Sequence, residues 1–181
     1  MERPHLHTGF CKVPVAGPRM VRRLNIDGDG QGDREGHGGE NRAVLVYQLA
    51  SYQHWERELG RGDLTPGAFG ENLTVDGLPD NEVCIGDRYR IDVVFEVTQP
   101  RVTCYRVGVR IGEPQMAALL VAHHRPGFTA ACSTRVNSKR DKTSSKSATS
   151  RSKCLSPRST RCCICRDIRE TTSNAPYAFR R

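Results

Sequence analysis

Apolar positions cluster unevenly along the chain, and their spacing changes character several times. The run AVLVYQ (43–48) is short, apolar and flanked by polar residues, which predicts a buried strand. Directly after it, Leu49, Tyr52, Trp55 and Leu59 recur at helical spacing within LASYQHWERELGR (49–61), and Gly60 supplies a stop. The segment TPGAFGENLTVDGL (65–78) reads as turn, strand, turn. EVCIGDRYRIDVVFEVTQPRVTC (82–104) holds two alternating, β-branched runs that end at Pro100. PQMAALLVAHHR (114–125) predicts a second helix. Residues 1–26 begin irregularly, and DGDGQGDREGHGGENR (27–42) is a Gly- and Asp-rich loop. Short strands, Gly-rich turns and two helices predict a mostly β, barrel-like domain with flanking helices. No internal repeat is visible.

Beyond residue 128 neither the helical nor the strand period persists, and composition changes with it. The whole chain has 181 residues and a formal charge of +8. Residues 129–181 hold 13 Lys and Arg against 3 Asp and Glu, leaving 15 basic and 17 acidic groups in the first 128 residues. Five of the eight cysteines also fall in that last stretch, so the body keeps Cys11, Cys84 and Cys104. No apolar run approaches the roughly 20 residues that span a bilayer. MERPHLH lacks the apolar core of a secretory signal. The expectation is therefore a cytoplasmic protein without a membrane span, with its cysteines as thiols.

The basic tail admits three readings. It could be a disordered extension that binds nucleic acid. It could carry a zinc knuckle on Cys154, Cys162, Cys163 and Cys165, although that crowded clump lacks two spaced ligand pairs. The third reading is translation out of frame. Codons compatible with CCICRDIRETTSNAPYAFRR, read one base earlier, can spell LLYLPGHPRDNLERALRIPA, and the residues before it recover strand-like alternation. One missing base near the codon of Phe128 produces both. Agreement across levels of pattern favours this reading. It removes the tail as an argument for nucleic-acid binding.

Several motifs fail on inspection. DGDGQGD (27–33) resembles a calcium loop, but its twelfth position is Gly38 where the loop needs a bidentate Glu. RGD at 61–63 is a three-residue match of no weight. His5, His7 and Cys11 sit in a ragged terminus, and His123 and His124 point to different helix faces. Three segments carry more. HGGENR (37–42) can present backbone N–H groups to an anion beside Arg42, although glycines more often mark an ordinary turn. GAFGENLT (67–74) places Glu71 and Asn72 after two glycines. TQPRVTC (98–104) ends a strand at Pro100, then sets Cys104 between Arg101 and Arg106. A lone Cys is more often a small buried hydrophobe, but positive neighbours favour the thiolate that attacks sulfur or binds a soft metal.

In order and spacing, RRLNIDGDGQGDREGHGGENRAVLVY, PGAFGENLTVDGL, EVCIGDRYRI and VTQPRVTCYRVGVRIG resemble a MOSC domain of the YiiM type. The resemblance covers roughly residues 8–128, with 1–7 an irregular terminus and 129–181 an out-of-frame, disordered basic tail. It implies a MOSC-type β-barrel, incomplete in this chain because a strand and a helical module are lost to the frameshift. Such an open barrel is expected to fold poorly and to be inactive. The first strand before TGFCKVPV is also expected to be missing or replaced.

The resemblance further implies one reactive cysteine, matched by Cys104, as catalytic residue and molybdenum ligand of the molybdenum cofactor (molybdopterin). His37, Arg42, Asn72 and Arg101 are the implied holders of the pterin phosphate or ring. The implied activity is reduction of N-hydroxylated bases such as hydroxylaminopurine, with electrons from a reductase partner. An alternative is a sulfur carrier, with Cys104 taking a persulfide from a pyridoxal-phosphate-dependent cysteine desulfurase. A basic nucleic-acid-binding protein is the second alternative and rests on the tail alone.

Overall fold

A computed structural model describes residues 8–32, 34–91 and 93–132. The elements in chain order are α1 (Arg34–His37), a 3-10 turn (Glu40–Arg42), β1 (Val44–Gln48), α2 (Leu49–Glu58), β2 (Leu73–Val75), β3 (Arg88–Ile91), β4 (Val93–Pro100), α3 (Tyr105–Ile111), α4 (Met116–Ala122) and β5 (Phe128–Cys132). The strands form one mixed sheet in the order β2-β1-β5-β4-β3. β1 runs parallel to β2 and antiparallel to β5, while β4 is antiparallel to both β5 and β3. The result is a curled half-barrel with helices beside it and open edges at β2 and β3, in agreement with the mostly β reading.

Alternation along β1 sorts the core into two clusters. Val44 and Val46 join Val83, Phe95, Val97, Phe128 and Ala130 on one face of the sheet. Tyr47 turns the other way, among Tyr52, Trp55, Phe69, Val107, Met116 and Leu120, and so binds the helices to the sheet. Trp55 is fully buried, and its indole N–H donates to the Tyr47 hydroxyl at 2.7 Å. Tyr47 stacks on Phe69 with ring centroids 4.5 Å apart. Burial of side chains this large contributes about 1.5–3 kcal/mol each.

The sequence expectations need three adjustments. The helix at 49–61 ends at Glu58, with Gly60 at φ 62° in the exit, and Leu49 is half-exposed although its spacing placed it on the buried stripe. The loop at 27–42 contains α1 and the 3-10 turn. A third helix, α3, follows Cys104 where none was expected. YRVGVRI alternates like a strand, but Val107 and Ile111 lie four apart and bury one face together. Gly112, at φ 77°, ends that helix with its N–H on the Gly108 carbonyl.

The described strand β5 also runs four residues past the boundary drawn at 128. It is central, pairing on both sides, and Ala130 is buried in the core. The readings placed on residues 1–7 and on the tail beyond 132, including the zinc clump and nucleic-acid binding, lie outside the described residues. Cys11, Cys104 and Cys132 are free thiols. Among the described residues no helix is long and apolar enough to cross a membrane.

Candidate functional site

A cavity of about 150 Å³ opens where the end of β4, the start of α3 and the loop after Pro100 meet the amino-terminal segment. His37, Arg42, Asn72, Arg101 and Cys104 all border it. These five come from three separate stretches of the sequence, HGGENR (37–42), GAFGENLT (67–74) and TQPRVTC (98–104), and the fold brings them together. Lys12 and Arg106 border it too, and Asp29 is the one carboxylate among the lining residues. Among the described lining residues Lys12, Arg42, Arg101 and Arg106 thus outnumber a single acid, which gives the cavity a net positive lining suited to an anion.

Arg101 anchors this wall. Its backbone N–H donates to the Gly127 carbonyl at 3.0 Å, fixing the end of β4 against the entry to β5. Its guanidinium is buried, with the carbon 5.6 Å from the centre of the Phe10 ring. Burial holds the Arg101 pKa below its ordinary value, against the supporting charges of Tyr47, Cys104 and Glu71. Nη1 of Arg101 and Nε of Arg106 have no hydrogen-bond partner among the described residues. Buried N–H donors without partners are uncommon, and in a cavity wall they point to a ligand acceptor. Cys104 sits at the half-buried start of α3 with its thiol free.

Asn72 is fixed in the cavity wall by three hydrogen bonds. Its Oδ1 accepts the Leu45 N–H at 2.9 Å, and its backbone N–H donates to the Leu45 carbonyl at 2.8 Å. The remaining amide donates to Asp29 at 2.6 Å. Asn72 therefore clips β1 to the β2 turn and to the loop that carries Asp29, with both ends of its side chain engaged. Arg42 donates to the Gly36 carbonyl and ties the turn after α1 together.

The amino-terminal segment supplies residues that the pattern did not mark. Lys12 pairs with Asp29 in a half-buried ion pair. Residues 8–12 fit because glycines receive them. A Cβ on Gly70 would stand 2.7 Å from the Phe10 ring, and one on Gly9 would stand 1.7 Å from the Gly30 carbonyl oxygen. The failed calcium motif is thus part of the cavity wall through Asp29–Gly32. The density of glycines in both segments was the available signal, but glycine spacing does not say which segments meet.

His123 lies away from the cavity. Its Nδ1 is 3.0 Å from Nε2 of His54, and its ring packs on Trp55. That is the packing role expected of it, and burial lowers the His54 pKa.

Comparison with known proteins places this geometry. Residues 33–141 match the family model described as the MOSC domain. The chain is 45% identical over 124 residues to the uncharacterized protein YflK of Bacillus subtilis, covering 68% of this chain and 56% of that protein. It is 35% identical over 116 residues to a protein named reductase from Gibberella moniliformis, covering 62% of this chain and 20% of that one. The crystal structure of YiiM from Geobacillus stearothermophilus superposes with a TM-score of 0.58 at 31% identity, covering 68% of this chain and 57% of that one. The chain spans about half the length of YflK and of YiiM.

Proposed function

The chain belongs to the MOSC domain family, and on that premise we propose that its cavity holds the molybdenum cofactor and serves reduction of N-hydroxylated bases such as hydroxylaminopurine. The observation that carries this reading is the convergence on one cavity of a free thiol, Cys104, with two arginines whose buried N–H donors lack partners among the described residues. The residues present fit such a group. A cysteine thiolate is a soft donor suited to molybdenum. Arg101 Nη1 and Arg106 Nε can donate to phosphate oxygens, with Arg42 adding charge and His37 on the same wall. Phe10 and Val102 give the cavity an apolar side against which a ring can lie.

When bound, the cofactor supplies the redox centre for a two-electron reduction. This chain's own residues bind and orient. Cys104 loses its thiol proton to offer Sγ, and Arg101 keeps positive charge beside it without exchanging a proton of its own. Asn72 holds the Asp29 loop and β1 in register and so fixes the wall opposite. Converting N–OH to N–H consumes two electrons and two protons and releases water, so an electron-donating reductase is the implied partner. The fungal relative named reductase, in which the matching segment is 20% of the chain, supports a redox setting.

The test is hydroxylaminopurine reduction by protein produced with cofactor synthesis and supplied with a reductase. Turnover by the frame-restored chain that is lost in its Cys104→Ser variant is expected. Turnover unchanged by that substitution would overturn the assignment.

A further inference from the structure

Glu71 lies on the turn that enters β2 and is 3% exposed. Three donors converge on its Oε1: the Tyr52 hydroxyl, the Gly67 N–H at 2.9 Å and the Thr74 hydroxyl at 2.8 Å. Its Oε2 has no hydrogen-bond partner among the described residues. The carboxylate is therefore fixed through one oxygen while the other stays bare. Arg101 shows the complementary arrangement, a guanidinium 7% exposed with Nη1 unpartnered. Gly70, the residue before Glu71, packs against the same Phe10 ring that the Arg101 guanidinium lies over, so the two charges share one buried corner, where the charge of Glu71 supports that of Arg101. A buried guanidinium is costly without an opposite charge, and the Phe10 ring offsets only part of that cost.

We propose that Glu71 is the counter-charge of the cavity, a positioning residue that keeps Arg101 in the wall and moderates the positive potential at Cys104 Sγ. The proposal rests on the reading of this cavity as an anion site. It gives a role to a side chain that borders no part of the cavity itself. With Asp29 alone opposing four cations, an anion would be held more tightly. Glu71 adds a second, buried negative charge outside the cavity lining, where water screens it little.

The potential at Sγ can be read by alkylation with iodoacetate and with iodoacetamide at one pH. Each forms an S–C bond at Sγ as iodide leaves, and the thiol proton passes to buffer. Both reagents meet the same thiolate population, so the ratio of their rates cancels it and reports charge alone. Mass spectrometry of the Cys104 peptide separates this thiol from the others. The iodoacetate-to-iodoacetamide ratio at Cys104 is expected to exceed that at exposed Cys11 and to fall in Arg101→Gln. In Glu71→Gln it is expected to rise by about threefold or more. Glu71→Asp keeps the charge and stays near wild type, which a purely structural role would not produce.

Should Glu71→Gln fail to fold, the Glu71→Gln/Arg101→Gln double variant leaves no lone buried charge. Its ratio is expected to exceed that of Arg101→Gln. A ratio unchanged or lowered by loss of Glu71 overturns the proposal and leaves the anion-site reading standing. A Cys104 ratio no higher than that of Cys11 and unmoved by Arg101→Gln overturns both.

Discussion

Asp80 offers a stability prediction with a sign and a size. Its carboxylate is 4% exposed, and Oδ1 accepts the Gly127 N–H at 2.9 Å. Burial pushes its pKa from 3.8 up to about 6, opposed only in part by the Gly127 N–H and the charge of Arg125. In the unfolded chain the group ionises near 3.8, whereas the folded protein holds the proton until pH 6. Between those values the native state binds more protons, so this group's contribution is fully present below pH 4 and is lost as pH rises through 6. The difference is about 3 kcal/mol. Asp80→Asn keeps the acceptor for Gly127 and removes the ionisation. Chemical denaturation of both proteins at pH 4, 5, 6 and 7.5 isolates the effect, because every other titrating group cancels in the difference. The variant should gain on wild type steadily from pH 4 to 6 and reach an advantage approaching 3 kcal/mol at pH 7.5. A difference that does not change with pH would refute the reasoning.

Two further substitutions probe the frame around the cavity. Gly127 sits at φ 78°, and a Cβ there would stand 2.7 Å from the Val46 carbonyl oxygen, so Gly127→Ala should cost about 1–3 kcal/mol in denaturant unfolding. Asn72→Ala strips the Leu45 N–H of its side-chain acceptor and Asp29 of a donor, and should cost about 1–3 kcal/mol in the same assay; an unchanged unfolding midpoint would count against the clip.

Local pattern made part of this legible. AVLVYQ becomes β1 and LASYQHWERE becomes α2 because strand and helix periods there agree with what is buried. The helix after Cys104 was not legible, since Val107, Val109 and Ile111 fit a strand equally well and only packing against Met116 and Leu120 decides. β5 was missed for a related reason. FTAAC has no amphipathic signal of its own, and its place comes from pairing with β1 and β4, both distant in sequence.

The site divides in the same way. Residue chemistry in TQPRVTC singled out Cys104 with its flanking arginines, and resemblance added His37, Arg42 and Asn72. The Lys12–Asp29 pair and the burial of Glu71 depend on contacts between segments that no spacing rule connects. The bonds that tie Asn72 to Leu45 and Asp29 likewise join segments that no motif connects.

The central claim is that Cys104 holds molybdenum of a cofactor bound in this cavity. Elemental analysis of molybdenum in the frame-restored wild type and its Cys104→Ser variant, both purified from cells that make the cofactor, tests it most directly. The account predicts stoichiometric metal in wild type and its loss in the variant. Equal metal in both proteins, or none in either, would contradict it.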